Sequence, residues 1–435
     1  MKSIKKFQAL LCVLIISTLS MSIVSVAHAQ TVQNREEVNR SVYGFLTEPG
    51  NLELSEDLNL VDAIGELSDS EIAQLYAIAN YNRLRTHMDD NLWANAYINE
   101  EDNLVVWLVE DRSEEAIRMI EDIPMINAES LLFEYTNYSR HDLIAITEFL
   151  ADNAEALQIY AVAFTNQPIV YVNSSRARNF SPAIIEAVLA NDLPDVSLDA
   201  IKNISFIVND HSLEILGTPE LLEGAPYADA LDFEAYESID SALDTRNTVH
   251  TINETVMINN GRWDASIAWG VGGNGTDMWS TGHSFRVGDR IRHNGREIGT
   301  VVGNRFDGSG DSSRIMLDNN VRFNWHTVNS WSGGVLPVGA TVTTYGASTG
   351  FQRNARVVLN NFEYRGNNHH NGNLWWPLYV TNTRSVDRDS GGSMFQSSGS
   401  FNTAFGIAHA SFGIETVFTR ASNRAWSERH TPPRS

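Results

Sequence analysis

Cysteine is nearly absent from this chain of 435 residues, since Cys12 is the only one. It lies in an apolar stretch near the N-terminus, so the remainder of the chain has no disulfide and no thiol chemistry. Apolar runs beyond that stretch are too short to cross a bilayer. Metal-ligand spacings and phosphate-binding loops are not found, and the segment 307–311 lacks the downstream carboxylates of a calcium loop. We therefore predict no cofactor and no metal.

Basic residues are also scarce, with 31 Lys and Arg against 54 Asp and Glu. Because Lys and Arg dominate phosphate binding, a chain with a formal net charge of −23 is not expected to bind nucleic acid. Residues 30–245 carry 10 basic and 41 acidic side chains, whereas residues 246–435 carry 18 and 13, and all 18 are arginine. The charge distribution predicts two domains of opposite sign.

The first 29 residues have the features of a signal peptide. Three lysines precede an apolar stretch over residues 9–26, and Ala27-His28-Ala29 then supplies the small residues that a signal peptidase requires. Cleavage before Gln30 and secretion are predicted, with no membrane attachment afterwards. The alternative is an uncleaved membrane anchor.

From about residue 34 to residue 241 the apolar pattern predicts an α+β region. The predicted helices span residues 67–79, 113–120 and 182–190, and the predicted strands span residues 103–109 and 169–172. We recognise no nucleophile and base in this half, and its acidic surplus is interpreted as a solvated surface. An abrupt change of composition between Pro226 and Val256 predicts a linker.

Beyond the linker the chain is predicted to be all-β. Gly, Asn, Ser, Thr and aromatic residues replace the helical patterns, and short alternating runs such as 341–345 and 355–359 are separated by turn residues. Many short strands of this kind are typical of a β-barrel or a β-sandwich.

Three residues of the second half are candidates for acyl-transfer chemistry. Ser390 lies in Arg388-Asp389-Ser390-Gly391-Gly392, a glycine-rich turn that suits an exposed nucleophile. A histidine base is needed close by, and His283 alone of the eight histidines here lies in a turn of small residues. The acid that orients the base is assigned to Asp311, with Asp307 and Asp318 as alternatives.

The order His283, Asp311, Ser390 resembles that of the chymotrypsin-like serine proteases, and in particular the secreted bacterial streptogrisin and alpha-lytic protease group. The resemblance covers about residues 262–426. It is carried by Thr281-Gly282-His283, Asp311 before Ile315-Met316-Leu317, Val338-Gly339-Ala340-Thr341-Val342, Asp389-Ser390-Gly391-Gly392-Ser393, and Phe405-Gly406-Ile407.

The resemblance implies an all-β double β-barrel protease domain at residues 246–435. Ser390 would attack the peptide carbonyl, His283 would act as base and then acid, and Asp311 would orient the imidazole. The backbone N–H groups of Arg388 and Ser390 would form the oxyanion hole. The implied activity is that of a secreted serine endopeptidase acting on peptide or protein substrates.

The sequence departs from the family at three places. Arg388 stands where the family has glycine, and Ser284 and Val386 replace cysteines of the family's disulfides. The substrate pocket is expected to be formed by Arg384, His409 and Ser411. Positive charge there would favour an acidic or polar residue before the cut, unless Arg384 points to solvent.

The resemblance also implies that residues 30–245 are an α+β pro-region that aids folding and inhibits the protease. We then expect the chain to cut itself between about Ala230 and Arg262. A catalytically silent protease-like binding module is the alternative, and an esterase is disfavoured because the Gly-x-Ser-x-Gly elbow is missing.

Overall fold

The computed structural model describes most of both halves of the chain. The described residues are 53–54, 68–173, 180–209, 213–215, 250–253, 256–271, 277–307, 310–324, 330–331, 334–365, 374–398 and 401–421. The predicted signal peptide and most of the predicted linker lie outside these residues. No helix among the described residues is long and apolar enough to cross a membrane.

The first half contains five α-helices and eight strands within the described residues. In chain order they are β1 (Glu53–Leu54), α1 (Asp69–His87), β2 (Trp93–Ile98), β3 (Leu104–Val109), α2 (Ser113–Asp122), β4 (Leu132–Thr136), α3 (Arg140–Asp152), β5 (Ala161–Phe164), β6 (Pro168–Asn173), α4 (Pro182–Asp192), α5 (Leu198–Lys202), β7 (Ser205–Asn209) and β8 (Leu213–Ile215). β2 and β4 flank β3 in a three-stranded mixed sheet. Each predicted helix and strand of this half is confirmed, and most extend a few residues further than predicted.

Side-chain caps determine where two of the helices begin. Ser68 accepts a hydrogen bond from the backbone N–H of Glu71, whose carboxylate accepts one from the N–H of Ser68 in return. Ser139 and Asp142 form the same reciprocal pair at the start of α3. A helix leaves its first N–H groups unpaired, so such capping boxes stabilise its start by about 1 kcal/mol.

The described part of the second half is built from strands alone. They are β9 (His250–Asn253), β10 (Met257–Asn259), β11 (Asp264–Ser266), β12 (Trp269–Val271), β13 (Asp277–Ser280), β14 (Arg290–His293), β15 (Arg296–Asp307), β16 (Gly310–Leu317), β17 (Val321–Asn324), β18 (Ser330–Trp331), β19 (Thr341–Gly346), β20 (Gly350–Arg365), β21 (Leu374–Thr381), β22 (Ser393–Ser398), β23 (Phe401–Phe412) and β24 (Glu415–Arg420).

Most of these strands form two β-structures, and β9 and β17 form a separate parallel pair. The first is an antiparallel sheet of seven strands in the order β11-β10-β14-β15-β16-β13-β12, packed around a core that includes Ile258, Phe285 and Ile315. In the second, β19, β20, β21, β24, β23 and β22 pair in turn, and β22 pairs back with β19. This ring is a closed six-stranded barrel. The predicted class, an α+β region followed by an all-β double β-barrel, is confirmed. The second β-structure is a closed barrel, and the described strands of the first form a curled half-barrel.

The first half pairs with the barrel through its strands. β5 lies antiparallel to β20, so that Ala161 is opposite Tyr364 and Val162 is opposite Glu363. Because β6 and β7 continue beyond β5, the sheet extends from the barrel into the first half. β8 pairs separately with β23, with Glu214 opposite Ser411.

A shared apolar core also joins the two halves. It contains Tyr81 and Leu84 of α1 together with Leu336, Tyr379 and Phe418 of the barrel region. Burying apolar side chains in this way contributes about 25 cal/mol per Å² removed from water. The two halves are therefore folded against each other along a continuous interface.

A close backbone approach at Gly339 completes this interface. The N–H of Ile98 donates to the carbonyl of Val338 at 2.8 Å. A Cβ on Gly339 would overlap the carbonyl of Ile98, and the φ of 86° at this residue is one that side-chain-bearing residues rarely adopt. The second half thus has a glycine where a strand of the first half crosses it.

Candidate active site

Asp389 fixes the loop that carries Ser390. Its Oδ1 accepts hydrogen bonds from the N–H groups of Ser348 (2.8 Å) and Thr349 (3.2 Å), and its Oδ2 accepts one from Val386 (3.0 Å). The carboxylate is 2% exposed, so these bonds do not compete with water. Sequence reasoning missed this role, because the three donors lie on two separate turns.

Glycine is required immediately after Ser390. Gly391 has a φ of 84°, and a Cβ there would approach the carbonyl of Ser266 and the hydroxyl of Ser280. The N–H of Gly391 donates to the carbonyl of Ala408 at 2.9 Å, and the N–H of Ala408 donates to the carbonyl of Gly392 at 2.7 Å. The loop is therefore tied directly to strand β23.

His283 lies just after β13, in the turn that the sequence singled out. The side-chain amide of Asn304 donates to the carbonyl of Gly282 at 2.7 Å and also to that of Phe285. The contacts of Asn304 bracket the histidine on both sides. Asn304 here and Asp389 at the serine loop thus brace these two turns by hydrogen bonds.

Asp311, at the start of β16, is completely buried and surrounded by donors. Its Oδ1 accepts from Thr281 Oγ1 (2.9 Å), from the N–H of Gly282 (2.6 Å) and from the N–H of His283 (2.8 Å). Its Oδ2 lies 2.6 Å from His283 Nδ1. Burial by itself raises the pKa of this carboxyl, but its interactions with His283 and then with His409 hold the pKa well below its ordinary value. Asp311 is thus a stable anion.

The opposite edge of the His283 ring, at Nε2, contacts Ser390. Ser390 Oγ lies 2.6 Å from His283 Nε2, and Thr281 Oγ1 also lies 2.6 Å from Nδ1. The structure therefore brings together all three candidates, Ser390, His283 and Asp311, which are 107 and 28 residues apart along the chain. Ser390 is 0% exposed, so the site is closed to solvent in the intact chain.

Arg388 precedes this site in a strained backbone conformation. Its φ is 81°, its side chain is exposed, and its Nε lies 3.3 Å from Asp264 Oδ2. Ser266 fixes the loop by donating to the carbonyls of Arg388 (2.8 Å) and Ser390 (2.7 Å). Within the described part of the chain, the backbone N–H groups of Arg388 and Ser390 find no acceptor, whereas that of Asp389 donates to Val386. Two adjacent donors are thus available beside the serine hydroxyl.

A second histidine contacts the same carboxylate. His409 Nδ1 lies 2.6 Å from Asp311 Oδ2, and His409 Nε2 lies 2.6 Å from the hydroxyl of Tyr364. His283, Asp311 and His409 present ligand atoms within 4.8 Å of one another, which is a grouping that can hold a metal. Both Nδ1 atoms are at hydrogen-bond distance from the carboxylate, so the three side chains are joined by direct hydrogen bonds.

The other predicted pocket residues are Arg384 and Ser411. The Arg384 side chain is exposed, and its backbone is held by Gln352, which it contacts at 3.0 and 2.6 Å. Ser411 is half-buried on β23, opposite Glu214 of β8. His409 is completely buried behind Asp311.

No protein-family model and no curated protein matches the sequence. Solved structures match about two-fifths of it. A protease of Nocardiopsis is 17% identical over 41% of this chain and 97% of its own, with a TM-score of 0.32. Protease A of Thermobifida fusca is 21% identical over 41% of this chain and 95% of its own, with a TM-score of 0.33. An alpha-lytic protease homologue, N4, is 17% identical over 41% and 96%, with a TM-score of 0.32. At these values the likeness concerns the fold, and the chemistry has to rest on the geometry of the site.

Proposed function

We propose that this chain is the precursor of a secreted serine endopeptidase. The observation that carries the proposal is the contact of Ser390 Oγ with His283 Nε2 at 2.6 Å, continued through the ring to Asp311. Ser390 attacks the peptide carbonyl carbon while His283 takes its proton. His283 then returns the proton to the leaving amine, and water hydrolyses the acyl-enzyme by the reverse route.

The oxyanion of the tetrahedral intermediate is assigned to the backbone N–H groups of Arg388 and Ser390. Their lack of acceptors among the described residues supports this role. Preorganised donors of this kind stabilise a developing negative charge without having to reorient during the reaction.

The first half, residues 30–245, is proposed to act as a pro-region that assists folding and inhibits the protease domain, residues 246–435. β8 adds a strand to β23 beside the nucleophile, where an extended peptide substrate would bind by the same strand addition. The complete burial of Ser390 and the opposite charges of the two halves support an inhibited precursor. The signal peptide at residues 1–29 and secretion remain predictions from the sequence.

Self-processing is tested with the full chain and its Ser390→Ala variant. We expect the wild type to be shortened between about Ala230 and Arg262, as read by mass spectrometry, and the variant to keep its full length. A variant that matures as fast as the wild type contradicts self-processing.

A catalytically silent binding module is the second candidate. Arg388, with its long cationic side chain beside Ser390, is the observation that favours it. A fluorophosphonate probe separates the two candidates, because an active site is labelled at Ser390 and a silent domain is not labelled.

Substrate preference is proposed to depend on Arg384 and Ser411, with peptides or proteins as substrates and an acidic or polar residue before the cut. Because the Arg384 side chain is exposed, its guanidinium does not pack in the core. A peptide-library profile tests this, since an Arg384→Ala variant should lose selectivity for acidic residues; an unchanged profile contradicts it.

A further inference from the structure

His409 and Tyr364 form a hydrogen-bonded pair behind the carboxylate of the proposed triad. His409 is on β23 and Tyr364 is on β20, and both belong to the barrel. Asp311, which they contact through His409, is on β16 of the seven-stranded sheet. The contact at 2.6 Å therefore crosses from one β-structure to the other.

The hydrogens of this network have one consistent arrangement. An ionised Asp311 can only accept, so the Nδ1 atoms of His283 and His409 must both carry hydrogens. Burial lowers the pKa of His409 more than Asp311 raises it, which favours a neutral ring whose Nε2 accepts a hydrogen bond. Tyr364 then donates its hydroxyl hydrogen to Nε2, and burial raises the pKa of Tyr364 well above its ordinary value, which keeps that hydrogen in place.

Water cannot substitute for any of these bonds. Asp311 and His409 are 0% exposed and Tyr364 is 4% exposed. In such surroundings a hydrogen bond to a charged group is stronger than in water, and a missing partner leaves a buried charge unpaired. The pair therefore supplies one of the two histidine contacts that hold Asp311 Oδ2 in place.

His409 is also connected to the nucleophile. Its neighbour Ala408 exchanges two hydrogen bonds with the loop after Ser390, at 2.9 Å from Gly391 and 2.7 Å to Gly392. A short stretch of β23 thus holds the serine loop through Ala408 and the triad carboxylate through His409. The base, His283, lies between these two fixed points.

Resting on the proposed function, we propose that His409 is a positioning residue for the His283–Asp311 pair, and that Tyr364 sets the tautomer and orientation of His409. His409 does not touch the substrate in this role. It holds Asp311, which belongs to one β-structure, at a fixed position relative to Ser390, which belongs to the other.

Two substitutions at one site separate this role from packing. His409→Asn keeps a donor on the atom attached to Cγ, where Nδ1 is, and loses the contact with Tyr364. His409→Gln places its amide further out, towards Tyr364, and loses the donor to Asp311. All variants are expressed as the full chain, the enzyme recovered is titrated with fluorophosphonate, and kcat and KM are measured on a peptide substrate.

We expect His409→Gln to have a kcat about 10- to 100-fold below that of the wild type, the loss typical of one hydrogen bond to a charged group, with KM within about twofold. His409→Asn should recover most of that loss, and Tyr364→Phe should lose about 3- to 10-fold in kcat. If His409→Gln does not fold, Tyr364→Phe still tests the inference, because it removes only one oxygen atom.

The outcomes distinguish this inference from the proposed function. An active wild type whose Asn and Gln variants have equal kcat values overturns the positioning role alone, as does a loss that falls on KM. A wild type that neither labels nor cleaves overturns the positioning role and the proposed function together.

Discussion

Glu363 makes the contact between the two halves sensitive to pH. It is 8% exposed on β20, opposite Val162 of β5, and the carboxylates of Glu148 and Asp152 on α3 face it from the first half, with Arg420 as the opposing cation. Burial, together with the nearby charge of Glu148, raises its pKa to about 7 from an ordinary value of 4.5.

The sign and size of the effect follow from this difference. Below about pH 4.5 the carboxyl is protonated in the folded and unfolded chains alike, and its contribution to stability is fully present. As the pH rises through 7 the folded chain has to ionise a buried group, and that contribution is lost. A difference of about 2.5 pKa units corresponds to about 3 kcal/mol.

Glu363→Gln tests the effect, because the amide stays neutral at every pH. Urea unfolding is measured in a Ser390→Ala background, which prevents cleavage, at about pH 4 and about pH 8.5. We expect the free energy of unfolding of Glu363→Gln, relative to its parent, to rise by about 3 kcal/mol between the two pH values. Glu148→Gln should give part of this gain, and Glu155→Gln, at an exposed position, controls for the loss of one negative charge. An advantage of Glu363→Gln that is equal at both pH values refutes the reasoning.

Three further predictions concern the backbone of the site and of the interface. Asp389→Asn weakens the carboxylate that holds three N–H groups, so the free energy of unfolding should fall by about 2–4 kcal/mol and fluorophosphonate labelling should slow; unchanged labelling would count against the bracing role. Gly339→Ala should destabilise the chain by about 2–3 kcal/mol and speed proteolysis of the first half, whereas Gly350→Ala, which also has a positive φ but no neighbour within 4 Å, should cost only the backbone strain of about 1 kcal/mol. Arg388→Gly removes the backbone strain at a φ of 81°, so the thermal midpoint should rise. It also removes the long cationic side chain beside Ser390, so kcat/KM should rise. A fall in kcat/KM would show that the arginine takes part in catalysis.

Local patterns were sufficient to predict much of the fold. The apolar run over residues 103–109 predicts a strand, and that strand is β3; the apolar pattern over residues 67–79 predicts a helix, and that helix is α1. These features depend on neighbours within a few residues, so they are present in the sequence itself. The order of His283, Asp311 and Ser390 resembles that of a known family. This resemblance predicts which segments, distant along the chain, lie together in the fold.

The surroundings of Asp311 could not be predicted in the same way. His409 is 98 residues from Asp311 and 45 from Tyr364, and no local pattern links the three. Side chains alternate between the two faces of a strand, so a shift of one residue decides whether His409 faces a substrate pocket or the carboxylate. Only the register of β23 against β22 and β24 settles that choice.

The central claim is that Ser390 is a nucleophile activated by His283 and Asp311. Its most direct test is fluorophosphonate labelling of the full chain during maturation, with the labelled residue identified by peptide mapping, beside Ser390→Ala and Asp311→Asn variants. We predict that Ser390 is labelled once the first half has been cut away, that the intact precursor resists labelling, and that neither variant labels at the wild-type rate. A matured chain that leaves Ser390 unlabelled, or an Asp311→Asn variant that labels as fast as the wild type, would contradict the claim.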